Sequence, residues 1–215
     1  MIGNIINFSK FFLLHSYLTE KVSKSNFKVL ISGVGADEIF SGYYDHTLQY
    51  LYEIRNLNIF KAEFKHWKEK IRVHIRNPIF KDGKLYFRNE TYRDHLYNFY
   101  QKKLFFLNDK KKIKHNMFYE KKFTKSLMRK RMLNELFFES VPNILKEEDL
   151  NCMNNSIENR APYLDRKLIE FLFTIPTKML IKKGFTKYLL RMAGRNYVHK
   201  DVLNDTKKVG FNYSI

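Results

Sequence analysis

The residues best equipped for chemistry lie in Leu30-Ile31-Ser32-Gly33-Val34-Gly35-Ala36-Asp37-Glu38-Ile39-Phe40-Ser41-Gly42-Tyr43. Alternating glycines let a backbone approach a ligand closely. A helix that starts just after them presents unpaired amides, which favour an anion. Asp37 and Glu38 then put hard carboxylate oxygens in the first helical turn, donors suited to a magnesium ion that bridges phosphates. The same acids also meet the ordinary preference for negative charge at a helix start. The pattern alone therefore leaves ligand binding and helix stabilisation both open. It is not a dinucleotide fingerprint, because the third glycine is missing.

Three later segments carry further reactive types. Ser156-Ile157-Glu158-Asn159-Arg160-Ala161-Pro162-Tyr163-Leu164-Asp165 packs two carboxylates and a guanidinium between Glu158 and Asp165. Gly184-Phe185-Thr186-Lys187-Tyr188-Leu189-Leu190-Arg191 and Lys207-Lys208-Val209-Gly210-Phe211 follow. Each taken singly reads as structure, a capped helix with ion pairs or a solvated basic end. The single cysteine, Cys152, excludes an internal disulfide framework and a Cys-rich zinc module, and reads as a buried thiol.

The elements that must position these residues are mainly helical. Phe27–Ile31 is short, rich in β formers and followed by glycines, so it predicts a buried strand. Residues 8–24 place Phe8, Phe11, Phe12, Leu14, Leu18 and Val22 on one helical face. Helical spacing returns over 36–55, 56–75, 90–107 and 117–139, and a shorter helix starts at Val141-Pro142. Asp165 is placed to cap a helix through Phe173 that Pro176 ends, and Thr186 to cap one through Arg195. One strand cannot form a sheet alone, so its partners are expected on another chain or in a longer polypeptide. No period of 20–50 residues repeats, which excludes solenoids and propellers.

The 215 residues carry 40 Lys+Arg against 22 Asp+Glu, a net charge of +18. Residues 102–131 hold twelve basic residues with Phe118, Tyr119 and Phe123 interleaved, a composition that suits nucleic-acid stacking platforms. Lys outnumbers Arg by 29 to 11, whereas bidentate base or phosphate recognition favours Arg. The charge is therefore read as a solubility and steering property, not as a nucleic-acid surface. No apolar run reaches the ~18 residues of a membrane span and no cleavable leader is evident, so no membrane partner and a cytoplasmic location are expected.

Taken together and in this order, the segments resemble the carboxy-terminal synthetase domain of the glutamine-hydrolysing asparagine synthetase family. Its motifs read Ser-Gly-[acid]-Gly-x-Asp-Glu-x-Phe-x-Gly-Tyr, Glu-x-Arg-x-Pro-[aromatic]-Leu-Asp, Lys-x-x-Leu-Arg and Lys-x-Gly-Phe. They align with Ser32–Tyr43, Glu158–Asp165, Lys187–Arg191 and Lys208–Phe211. The motifs are also similar to asparagine-synthetase-like proteins of surface-polysaccharide gene clusters. The resemblance implies a mainly α fold with a remnant of a parallel α/β sheet, the C-terminal part of an adenine-nucleotide α-hydrolase-like synthetase domain. It implies an ATP- and Mg2+-dependent ligase that amidates aspartate through an acyl adenylate. By the same resemblance Asp37 is the metal ligand, and Ser32, Gly33 and Gly35 line the nucleotide pocket. Lys208 steadies the departing pyrophosphate, Glu158 builds the acceptor side with Arg160 and Asp165, and Lys187 and Arg191 support the fold or the phosphates.

The departures shape the expectation as much as the matches. No Ser-Gly-Gly-x-Asp-Ser pyrophosphate loop occurs in residues 1–215, and the position of the glutaminase nucleophile is Ile2. The acidic residue inside the glycine turn is Val34, which cannot accept a proton, and the family's late arginine is Thr206. Residues 1–215 are thus expected to be a partial synthetase domain, incomplete alone, with an upstream polypeptide supplying the loop and the glutaminase. The expected small-molecule substrate is aspartate or a related carboxylate. The alternatives are an amidotransferase acting on a sugar carboxylate, and a basic binding module without catalysis.

Overall fold

The computed structural model describes residues 2–89 and 120–208, with side chains from residue 13 onward. The helical expectation over 90–107, most of the basic stretch 102–131, and Gly210-Phe211 lie outside the described residues. The helices are α1 Ile2–Lys24, α2 Ala36–Phe40, α3 Tyr44–Glu53, α4 Phe60–Lys70, α5 Leu85–Arg88, α6 Leu127–Phe137, α7 Ser140–Asn154, α8 Arg166–Thr174, α9 Tyr188–Ala193 and α10 Lys200–Asn204. Among the described residues the sheet has two strands, β1 Val29–Ile31 and β2 Glu158–Arg160. The fold is thus mainly α with a small parallel sheet.

The strands pair in parallel, with Val29 opposite Glu158 and Ile31 opposite Arg160, and Ser32 N–H extends the ladder to the Arg160 carbonyl at 2.7 Å. The expected absence of a strand partner within the chain is therefore corrected. Glu158-Asn159-Arg160 supplies it, although its polar side chains give no hydrophobic signal of a strand. Main-chain hydrogen bonds, not side-chain type, put it there.

The continuous helix read over 36–55 is broken at Ser41-Gly42-Tyr43. Ser41 takes a left-handed conformation with φ 67°, and Gly42 N–H closes the turn on the Asp37 carbonyl at 2.8 Å. The break separates a short helix at the cleft from a longer one in the core. Asp165 does cap α8, its Oδ1 accepting from Leu168 N–H at 2.9 Å. The cap expected at Thr186 falls on Lys187 instead, which adopts φ 53°.

The larger core joins Leu48, Leu51 and Ile54 of α3 to Trp67, Ile71, Ile75, Met128, Met132, Leu180 and Ile181. Burying one such side chain stabilises by roughly 1.5–3 kcal/mol. A second cluster joins Ile39 and Phe40 of α2 to Leu136, Val141 and Leu172. It pins α2 from beneath, so the turn before it is held on a packed base. No helix among the described residues is long and apolar enough to cross a membrane.

Candidate functional site

An open cleft of about 430 Å³ runs over the glycine turn between α1, α7 and the loops carrying Lys187 and Lys208. Its floor is the backbone of residues 32–36. Gly35 has φ 90°, a conformation that calls for a glycine, and a Cβ there would also press on the end of the Leu164 side chain, 2.4 Å from Cδ2. A Cβ on Gly33 would meet nothing within 4 Å; its absence bares main chain to the cleft. Ser32 Oγ accepts from Val34 N–H at 3.2 Å and donates to Glu148 Oε1 at 2.9 Å. The other oxygen of Glu148 accepts from Asn159 Nδ2 at 2.8 Å. Glu148 thus ties α7 to both the turn and β2.

At the other end of the turn Asp37 holds two ammoniums. Lys187 Nζ lies 2.5 Å from Oδ1 and Lys208 Nζ 2.8 Å from Oδ2. Burial pushes the Asp37 carboxyl up, but the two lysines outweigh it and hold it below the usual aspartate range. The left-handed backbone at Lys187 aims its side chain back over α2. Lys208 is also seated over the Tyr43 ring, 3.7 Å from the centroid. Tyr43 Oη donates to Glu38 Oε1 at 2.6 Å, and burial together with Glu38 pushes that phenol far above its ordinary range. Glu38 is therefore engaged in orienting the ring and does not face the cleft as a free donor.

Of the residues singled out in the sequence, Ser32, Gly33, Gly35, Asp37, Lys187 and Lys208 come together here although 176 positions separate the first from the last. Glu158 does not join them. It is exposed on β2, pairs with Arg160 at 2.7 Å, and is not among the cleft-lining residues. Arg160 therefore braces Glu158 and not Asp165, which is the α8 cap. Arg191 turns to carbonyls, donating to Thr186, Val202 and Leu203 at 2.9, 3.1 and 2.8 Å, and is a brace for the loop that carries Lys187. Arg129 and Arg131, counted with the basic run, are buried. Arg129 donates to the Leu172 carbonyl at 3.0 Å and to that of Ile175, and burial pulls it down to about 10.

Sequence reasoning missed Glu148, Tyr43 and His15 as parts of the cleft. Glu148 had no local signal, being one of three consecutive acids on a surface-like helix. Asp45, His46 and Glu135 lie within 4.8 Å of one another, yet Arg131 already supplies that cluster with positive charge, its Nε 2.7 Å from Glu135 Oε1 and 3.5 Å from Asp45 Oδ2.

The arrangement has the means to hold a polyphosphate, with two lysine ammoniums, bare backbone and one carboxylate at a single rim. It fits a magnesium ion in company with phosphate oxygens. Glu38 and Glu148 hold donors of the fold and Asp37 holds two lysines, so Asp37 could join such a shell where phosphate takes over an ammonium, and magnesium is commonly held by one or two carboxylates plus phosphates and water.

Residues 10–215 match the family model described as asparagine synthase. A 69-residue segment is 44% identical to asparagine synthetase [glutamine-hydrolyzing] 1 of Bacillus subtilis (strain 168). That segment is 32% of this chain and 11% of the relative. A comparison with solved structures gave no match.

Proposed function

Because the chain belongs to the asparagine synthase family, we propose that it provides part of the catalytic cleft of an ATP-dependent amide ligase. In this reading ATP activates the side-chain carboxylate of aspartate as an acyl adenylate, pyrophosphate leaves, and ammonia displaces AMP to form the amide. The single observation that carries the reading is the junction of Asp37 with Lys187 and Lys208 on the rim of the glycine turn. Two ammoniums at one point are suited to charge that separates as pyrophosphate departs. Ser32, Gly33 and Gly35 line the nucleotide side, Asp37 would hold Mg2+, and that ion when bound neutralises phosphate charge. The hydrogen bonds of Ser32 to Glu148 and Val34 fix its hydroxyl before any ligand arrives.

The sheet supports the further reading that another polypeptide segment completes the site. Parallel sheets are normally covered on both faces, and two strands of three residues are marginal by themselves. Val29 and Ile31 on β1, and Phe27 just before it, are all exposed. A segment bearing the Ser-Gly-Gly-x-Asp-Ser loop, laid along β1 in the manner of an adenine-nucleotide α-hydrolase-like sheet, would cover them. It would also give Glu158 an acceptor pocket to face.

Calorimetric titration of the chain with Mg·ATP tests the nucleotide reading. Binding in the millimolar range or tighter, displaced by pyrophosphate, is expected; no heat up to about 10 mM rejects it. Adding a polypeptide that bears the Ser-Gly-Gly-x-Asp-Ser loop should then give pyrophosphate release that depends on aspartate and ammonia. Release driven by a uronic acid and not by aspartate would move the acceptor to sugar carboxylates.

A further inference from the structure

In the free protein both oxygens of Asp37 are already taken, Oδ1 by Lys187 and Oδ2 by Lys208. The trio is buttressed from three sides. Gly42 leaves the room for it, since a Cβ there would lie 1.8 Å from Asp37 Oδ1 and 2.6 Å from Lys187 Cε. The Tyr43 ring lies against the Lys208 ammonium. Arg191 pins the loop on which Lys187 sits. The other cleft carboxylates have their own partners, Glu38 in Tyr43 and Glu148 in Ser32 and Asn159.

This geometry ties the binding of a cation to that of a polyphosphate. A divalent cation that reached Asp37 alone would stand about 2.1 Å from its oxygen and would have to turn an ammonium away from the carboxylate into the cleft, with no anion there to receive it. The three side chains already carry a net positive charge, and the cation would raise it further. A polyphosphate that arrived alone would draw both lysines off and leave its own oxygens facing a stripped carboxylate. Together the two ligands satisfy every group. The ammoniums move to phosphate, and the cation bridges phosphate and Asp37.

Resting on the polyphosphate reading above, we propose that Asp37, Lys187 and Lys208 form a latch that makes binding of a divalent cation and of a polyphosphate mutually dependent. Each ligand opens the place of the other. By linkage the coupling is the same in either order of addition.

The test is calorimetric titration of the 215-residue chain and of Asp37→Asn with inorganic pyrophosphate, in EDTA and in excess Mg2+. For the wild type, Mg2+ should tighten pyrophosphate at least about tenfold. In Asp37→Asn the lysines have no carboxylate to leave. Pyrophosphate in EDTA should therefore bind more tightly than to the wild type, and the effect of Mg2+ should shrink to within about twofold. Wild-type binding that ignores Mg2+, or weaker metal-free binding by the variant, overturns the latch and leaves the phosphate site standing. No binding of pyrophosphate by either protein under either condition overturns the site and the latch together. If Asp37→Asn does not fold, Lys187→Gln reads the same device from the cation side. Mn2+ alone, followed by electron paramagnetic resonance, should bind the variant at least about fivefold more tightly than the wild type, and an unchanged affinity overturns the proposal.

Discussion

Lys187 Nζ meets Asp37 Oδ1 at 2.5 Å through space that Gly42 leaves empty. Gly42 is not one of the glycines with positive φ, so backbone conformation does not call for a glycine there. The reason is steric, because a methyl group would overlap the carboxylate oxygen. Gly42→Ala should therefore separate the pair and cost about 1–3 kcal/mol, the range for overpacking a filled site. Urea unfolding checks it, and a variant within about 0.5 kcal/mol of the wild type contradicts it.

The same carboxylate predicts a limb of acid unfolding. The lysines hold the Asp37 carboxyl below its unfolded value despite burial. A depressed acid contributes stability that is present above the unfolded pKa, near 3.9, and lost as pH falls through the native one. Stability should thus drop below about pH 4 in the wild type and drop less steeply in Asp37→Asn. Parallel acid limbs in the two proteins would show that the lysines do not set the ionisation of Asp37.

What was legible in the sequence, and what was not, divides along physical lines. The glycine turn, the presence of a strand before it and the Asp165 cap rest on local backbone chemistry, and local spacing displays them, but the burial expected of that strand is not met, since Val29 and Ile31 are exposed. The partner strand Glu158–Arg160 rests on main-chain pairing with residues 129 positions away, to which polar side chains give no clue. Helix 36–55 reads as continuous because Ile39, Phe40, Leu48 and Leu51 keep helical spacing across the break. The break itself is set by Ser41 and Gly42 and by the need to seat Lys187 on Asp37. Lys187 and Lys208 were singled out from motifs, and their convergence on one carboxylate is a tertiary fact. Glu148 had neither motif nor spacing to announce it.

Glu148 yields a second kind of prediction, about position and not charge. Its two oxygens hold Ser32 on the turn and Asn159 on β2. Glu148→Ala would leave two half-buried donors without this partner and should cost about 0.5–1.5 kcal/mol for each hydrogen bond lost. Glu148→Gln keeps an acceptor for one of them and should recover part of the loss. Chemical denaturation of the three proteins ranks them. Equal stability of the Ala and Gln variants would mean that the hydrogen bonds do not hold the turn.

The buried charges behind the cleft predict a slope at the other end of the pH scale. His46 is fully buried, with Nε2 2.7 Å from Glu135 Oε2. Arg131 lies between Glu135, Asp45 and Glu139 and joins α6 to α3. Burial disfavours a charged imidazole, yet Glu135 and Asp45 prevail and raise His46 above its ordinary value. Burial pushes Glu135 up as well. The pair therefore keeps a proton in the native state to a higher pH than in the unfolded chain. Stability contributed by a raised group is full below its unfolded pKa, about 6.5 for His, and is lost as pH rises through the native value. Unfolding free energy should accordingly fall from about pH 6 toward pH 9. His46→Gln, which cannot take up that proton, should be less stable at pH 6 and flatter across the window. A wild-type stability that rises over this range, or an identical slope in the variant, would place the proton elsewhere and leave the His46–Glu135 contact a neutral hydrogen bond.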